Sequence, residues 1–151
     1  SNFDADIFVR DRTSGTTTLI SRPTGGGQAN GGSGLPAISA DGRYVAFRSF
    51  ATNLDPADTD PKPDIYRHDL LTGETVLVSH RILPGTHPDG TWQRPSISQD
   101  GRYVAFDCWD DNLVPGDQNG TIDVYVRDMQ MGVMELISVG NQGELGNEVS
   151  D

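Results

Sequence analysis

The chain has 151 residues, the length of one ordinary domain, and carries a formal net charge of −11. Its 22 acidic and 11 basic residues argue against a nucleic acid partner, because nucleic acid affinity depends on Lys and Arg neutralising phosphates. No apolar run approaches the roughly 20 residues that a membrane-spanning helix needs. Eighteen glycines, nine prolines and a low aromatic content of 7% are typical of an all-β protein rich in turns.

An internal repeat of 59 residues dominates the sequence. Residues 35–47 recur as residues 94–106, with the shared pattern Pro-x-Ile-Ser-x-Asp-Gly-Arg-Tyr-Val-Ala-Phe. A second block with the pattern Asp-hydrophobic-aromatic-x-x-Asp occurs at 6–11, 64–69 and 123–128. A serine follows fifteen residues after the first Asp of each copy. Self-similarity at this period indicates a repeat architecture.

Each repeat predicts four short strands arranged as two hairpins. The Asp41-Gly42 dipeptide and its repeat Asp100-Gly101 predict type I′ turns in an inner hairpin, because Gly accepts positive φ without strain. Gly-containing turns at 14–16, 72–74 and 131–133 predict the outer hairpins. Residues 44–47 are apolar on both strand faces, as in a sheet packed between two neighbouring sheets. No apolar residues recur at helical spacing over three turns, so essentially no α-helix is expected.

The inner-hairpin motif, followed by hydrophobic-Tyr-x-x-Asp and a Gly turn, resembles the WD40-like PD40 repeats of the TolB-like β-propellers. The resemblance covers almost the whole chain. It implies an all-β fold of four-stranded antiparallel propeller blades and a bacterial periplasmic or secreted setting. It does not imply one activity, because propellers carry many functions.

In chain order the sequence predicts an outer hairpin at 6–21, a blade at 35–79, a second blade at 94–139 and a tail at 140–151. This amounts to about two and a half blades, whereas a propeller needs roughly four to eight. We therefore expect either a piece of a longer protein, which supplies the missing blades, or a unit that forms a homo-oligomer. Exposed strand edges at the two ends are templates for pairing with another chain.

The loop before the last outer hairpin is the best candidate for chemistry. Its sequence, Asp-Gln-Asn-Gly-Thr-Ile-Asp, resembles short calcium loops, because oxygen-bearing side chains on alternate residues can converge on one Ca²⁺. The equivalent loop in the previous repeat keeps three such oxygens but has Pro61 and Lys62 in place of the glycine and threonine. The predicted ligands are Asp117, Asn119, Thr121 and Asp123 in one loop, and Asp58, Asp60 and Asp64 in the other. The alternative is that these side chains only hydrogen-bond the loop backbone in Asx-turns.

Other polar residues favour structural roles. Arg43 and Arg102 are expected to pair with Asp69 and Asp128, and His68 is expected on a strand surface. No histidine recurs in register, and no Cys/His metal cluster or nucleophile motif is present.

The favoured function is accordingly a non-catalytic binding or scaffold module that self-associates to complete a propeller, with calcium as a stabilising ion. An exposed Trp92 leaves a carbohydrate or protein ligand open. The alternative function is a propeller lobe of a larger enzyme, similar to the propellers of prolyl-oligopeptidase-type peptidases or polysaccharide lyases.

Overall fold

The strands of the protein are formed by β-branched and aromatic residues, and turns that contain Gly and Asp separate them. The structure is a computed structural model that describes residues 4–59, 61–80, 94–109, 113–117 and 119–139. These residues form ten strands and no helix. The strands are β1 (Phe8–Arg10), β2 (Thr17–Leu19), β3 (Ser33–Ile38), β4 (Tyr44–Ser49), β5 (Asp64–Asp69), β6 (Thr75–Leu77), β7 (Ser96–Ile97), β8 (Tyr103–Cys108), β9 (Asp123–Asp128) and β10 (Val133–Leu136). The all-β prediction is confirmed.

The strands form three antiparallel sheets in chain order. The first hairpin is β1–β2, the second sheet is β3–β6 and the third sheet is β7–β10. The two four-stranded sheets share one register, since Phe47 lies opposite Tyr66 and Phe106 lies opposite Tyr125. The repeat in the sequence is therefore a repeat of whole sheets.

The inner-hairpin turns differ from the predicted type. Gly42 has φ of 73°, but Asp41 is not in the positive-φ region, so the turn is not type I′. The Gly42 amide donates to the Ser39 carbonyl oxygen at 2.9 Å, and the Asp41 carboxylate accepts from the Arg43 amide at 3.0 Å. The aspartate thus caps a longer loop, and only the glycine needs the left-handed conformation.

Two apolar clusters fill the spaces between successive sheets. Val45 and Phe47 of β4 lie in the cluster shared with the first hairpin, and Ala46 lies in the cluster shared with the third sheet. The prediction that both faces of this strand are covered is confirmed. Among the described residues we find no helix with the length and apolar content that crossing a bilayer requires.

Candidate interaction surface

The contact between the second and third sheets shows how one sheet covers another. We call the side of a sheet that faces the preceding sheet its front face, and the other side its back face. On the back face of the second sheet, Ala46, Ile65 and Val78 are each 0% exposed. They pack on the front face of the third sheet, where Val104, Phe106, Cys108, Leu113 and Tyr125 are buried. Burial of this apolar surface is the main stabilising contribution of the contact.

The back face of the third sheet carries equivalent residues, and no sheet formed by the described part of the chain covers them. Ala105, Val124 and Ile137 stand 59 positions after Ala46, Ile65 and Val78. Ala105 and Val124 are half-buried, and Ile137 is 48% exposed. A groove of about 700 Å³ runs along this side and is lined by Arg94, Ser96, Ala105, Phe106, Asp107, Ile122 and Val124. We call the surface formed by Ala105, Val124 and Ile137 the open back face.

The covered contact also includes a specific turn. A Cβ atom added to Gly101 would lie 2.1 Å from the Tyr44 ring, so only glycine fits there. Arg67 donates from Nη1 to the Gly101 carbonyl oxygen at 2.7 Å and stacks on Tyr44, with its Cζ 4.5 Å from the ring centroid. The third sheet repeats the tyrosine as Tyr103 but has Val126 at the position of Arg67. The third sheet therefore lacks the arginine that makes this turn contact in the second sheet.

The predicted arginine–aspartate pairs are confirmed. Arg43 Nη2 lies 2.7 Å from Asp69 Oδ2, and Arg102 Nη2 lies 2.6 Å from Asp128 Oδ2. Each arginine also donates from Nε, and the aspartate additionally accepts two turn amides. The guanidinium of Arg43 lowers the pKa of Asp69 to about 2. The pair ties the inner hairpin of each sheet to the turn of its outer hairpin.

The recurring Asp and Ser of the outer hairpins form a hydrogen-bonded clamp, which is fully buried in the second sheet. Ser79 Oγ donates to Asp64 Oδ1 at 2.6 Å and accepts from the Ile65 amide at 3.0 Å. The pairs Ser21–Asp6, at 2.8 Å, and Ser138–Asp123, at 2.5 Å, repeat this arrangement. The clamp explains the fifteen-residue spacing by local structure.

A second hydrogen bond holds the loop before each outer hairpin of the four-stranded sheets. Tyr66 Oη donates to Asp58 Oδ2 at 2.6 Å, and Tyr125 Oη donates in the same way to Asp117 Oδ2. Both carboxylates are buried. Burial and the Asp58 carboxylate raise the pKa of Tyr66, and burial and Asp117 raise the pKa of Tyr125. Sequence reasoning missed these pairs, although the eight-residue spacing from Asp to Tyr recurs in both repeats.

The predicted calcium ligands Asp117 and Asp123 therefore belong to two different hydrogen-bonded groups. Asp117 binds Tyr125, while Asp123 accepts from Ser138 and, at 3.3 Å, from Thr121 Oγ1. Asn119 Oδ1 accepts from the Thr121 amide at 3.2 Å, in an Asx-type loop contact. Within the described ranges, no three His, Cys, Asp or Glu side chains form a group that could hold a metal ion. Asp60 lies outside the described residues, and calcium binding stays a prediction.

His68 is not on a strand surface, so that prediction is wrong. It is 1% exposed, and its Nδ1 lies 2.8 Å from Thr75 Oγ1. The Thr75 hydroxyl donates to the Arg22 carbonyl oxygen at 2.5 Å, so Nδ1 must be the donor to Thr75. Burial and nearby Arg22 lower the pKa of His68, which favours the neutral ring. The residue is covered because the segment after the first hairpin crosses β6, a tertiary contact that the strand pattern does not encode.

Comparisons with known proteins support the fold. No family model and no curated protein matches the chain. Solved structures do match: TolB from Acinetobacter baumannii at 20% identity and a TM-score of 0.52, putative TolB from Agrobacterium tumefaciens at 22% and 0.52, and dipeptidyl peptidase 4 from Porphyromonas gingivalis at 16% and 0.57. The matches cover 92%, 87% and 89% of this chain but only 27%, 40% and 23% of those proteins.

The chain therefore has a β-propeller fold, similar to that of TolB and of other propeller proteins, and spans less than half the length of these structures.

Proposed function

We propose that the chain is a non-catalytic propeller scaffold that self-associates by stacking another sheet on its open back face. The observation that carries the proposal is the contrast between Ile65 and Val78, both fully buried, and their equivalents Val124 and Ile137. A contiguous apolar sheet face left in water is typical of an interaction site.

The covered contact indicates what kind of surface fits. It combines small and branched aliphatic side chains on a back face with aromatic rings on a front face, since Ile65 lies in one buried cluster with Phe106 and Tyr125. The first hairpin presents such a ring on its own front face, because Phe8 occupies the position of Tyr66 and is 59% exposed. The two surfaces differ, so association would be head-to-tail and would form a closed ring or an open chain according to its geometry.

Charge opposes this association. Each copy carries a net charge of −11, so we expect assembly to strengthen as added salt screens the repulsion. An apolar contact is not weakened by screening, whereas one held by exposed ion pairs would be.

Light scattering on the wild type and on Ala105→Asp tests the proposal. The wild type should have a mass that is a multiple of 16.3 kDa, and Ala105→Asp should be monomeric with an unchanged circular dichroism spectrum. Ala57→Asp, the same change at an exposed loop position, is the matched control and should assemble like the wild type. A monomeric wild type at high salt, or equal masses for all three proteins, contradicts the proposal.

A second candidate is a propeller lobe of a larger enzyme, and the match to a segment of dipeptidyl peptidase 4 favours it. In that case further blades of the same polypeptide cover the open back face. Ala105→Asp would then destabilise the longer protein while leaving the 151-residue chain unaffected. Unfolding curves of both forms distinguish the two candidates.

We also propose that the repeats are of the PD40 type and that the protein is periplasmic or secreted. The inner-hairpin motif and the likeness of the fold to TolB support both points. Cell fractionation tests the location. A carbohydrate or protein ligand stays a prediction, and Trp92 and the tail 140–151 lie outside the described residues.

A further inference from the structure

The first strand of the second sheet contains an irregular segment. Gly34 lies opposite Arg48 and Ala37 lies opposite Ala46, so β3 advances three residues where β4 advances two. Within this β-bulge, Leu35 has φ of 53°, a left-handed conformation that residues other than glycine seldom adopt. Bulges and backbone strain of this kind are concentrated next to binding and active sites.

Arg48 lies beside the bulge, and its guanidinium is partly buried without an acceptor. The Nε atom is buried and has no hydrogen-bond partner in the described part of the chain. The Cζ atom lies 4.5 Å from the ring centroid of Phe50, so stacking on the ring holds the guanidinium in place. Burial lowers the pKa of Arg48, because it disfavours the charged form. A buried donor without an acceptor is rare in folded proteins, and a bound ligand can supply the acceptor.

A pocket of about 200 Å³ opens beside this guanidinium. Residues 32–35, Arg48 and Phe50 line it, so one cationic group stands among small and apolar residues. Pockets that hold drug-sized molecules measure roughly 300–1,000 Å³, so this pocket suits a smaller ligand. The whole chain carries a net charge of −11, which repels anions in general. Binding of an anion here would therefore depend on the local arginine.

The third sheet shows which chemical group fits this position. Arg94 and Asp107 stand 59 positions after Leu35 and Arg48. Asp107 Oδ1 accepts a hydrogen bond from the Arg94 amide at 3.0 Å, so a carboxylate of the chain itself binds the backbone at this point. The second sheet has a guanidinium instead of that carboxylate, and a guanidinium forms charge-assisted, often bidentate hydrogen bonds with carboxylates.

We propose that the pocket at Arg48 binds a small organic carboxylate that carries an apolar group. The Arg48 guanidinium donates to the carboxylate, and the Leu35 amide donates to it as the Arg94 amide does to Asp107. The side chains of Leu35 and Phe50 contact the apolar group. The pocket belongs to the second sheet, which packs on the first hairpin and on the third sheet, so binding does not depend on the open back face.

Titration with phenylacetate at constant ionic strength tests the proposal. The NMR signals of the Arg48 Nε–H group and of the Leu35 amide report binding directly. Both signals should move saturably, with a dissociation constant of about 1–10 mM, which is ordinary for so small a ligand. Phenylacetamide, the neutral analogue, should leave both signals in place.

Three variants separate ligand binding from a structural role of the arginine. Arg48→Gln should weaken phenylacetate binding, followed at the Leu35 amide, by about tenfold, as expected for loss of a charge-assisted pair. Arg12→Gln, the same change at an exposed position, should bind like the wild type. Arg48→Asp supplies the carboxylate that the third sheet has, so it should abolish binding and slow the exchange of the Leu35 amide relative to Arg48→Gln.

The proposal is overturned by unmoved signals at about 50 mM phenylacetate, by equal shifts with phenylacetamide, or by unchanged binding in Arg48→Gln. Tighter binding of N-acetylphenylalanine would also overturn it, because the ligand would then be the C terminus of a polypeptide. Ala105→Asp should bind phenylacetate like the wild type, so failure of self-association does not remove this site.

Discussion

The second and third sheets share sequence, register and arginine–aspartate pairs, yet their back faces meet different surroundings. Ala46 is fully buried and Ala105 is half-buried, although the five residues Arg-Tyr-Val-Ala-Phe around them are identical. The difference arises only from position, because the second sheet has a following sheet in the described structure and the third does not. In a repeat protein each unit contacts only its neighbours, so stability and interaction surfaces are set by which neighbours exist.

The largest difference in stability between the two sheets is expected when a charge replaces the equivalent alanines Ala46 and Ala105. Ala46→Asp buries an unpaired carboxylate between two sheets and should lower the free energy of unfolding by about 3–5 kcal/mol. Ala105→Asp places the same group at the edge of water and should cost under about 1 kcal/mol in the monomer. Urea unfolding of both variants measures the difference, and equal losses would mean that the third sheet is covered in solution.

The buried serine clamp gives a smaller difference. Ser79→Ala removes the acceptor of the Ile65 amide and the donor to Asp64, and should cost about 1–3 kcal/mol. Ser138→Ala makes the same change in the third sheet, where Ser138 is only partly buried, and should cost less because water can replace the hydroxyl. Thermal unfolding of the two variants ranks them, and the reverse order would contradict the assignment of the open side.

Adding calcium tests the metal prediction for the acidic loop of the third sheet. If the loop of Asp117 and Asp123 binds Ca²⁺ with the weak affinity of extracellular sites, 10 mM calcium should stabilise the chain by about 1–2 kcal/mol and raise the melting temperature by roughly 3–6 °C. Magnesium at equal ionic strength is the control. Equal shifts with the two ions, or none, would leave the Ser138 and Tyr125 hydrogen bonds as the whole role of these carboxylates.

The smallest expected effect concerns acid. The pKa of Asp69 is lowered to about 2, so its pair with Arg43 contributes stability above the ordinary carboxyl pKa and loses it as the pH falls from about 4 to 2. Arg43→Gln should therefore move the acid-unfolding midpoint upward. Arg12→Gln, which removes an exposed charge outside these pairs, should move it less. Circular dichroism against pH measures both, and identical midpoints would show that the partly exposed pair contributes nothing.

Much of this structure was predictable from the repeat. The strands, the sheet order, the two-sided burial of β4 and the Arg43–Asp69 pair follow from motifs that recur at fixed spacing. The turn type did not follow, because an Asp-Gly pair fits both a two-residue turn and a longer loop capped by the Asp side chain. The burial of His68 depends on the segment 22–24 crossing β6, and non-repeating contacts of this kind leave no periodic signal. The exposure of the open back face could not be predicted either, because Val124 occupies the same position in its repeat as the buried Ile65.

Hydroxyl-radical footprinting of dilute and concentrated protein is the most direct test of stacking on the open back face, because it reports the exposure of individual side chains. In dilute protein, Val124 and Ile137 should be oxidised while Ile65 and Val78 are protected. At high concentration, Val124 and Ile137 should become protected as well, in the wild type but not in Ala105→Asp. Oxidation of Ile137 that does not change with concentration would contradict stacking on the open back face, and oxidation of Ile65 at the rate of Val124 would contradict the difference between the two sheets.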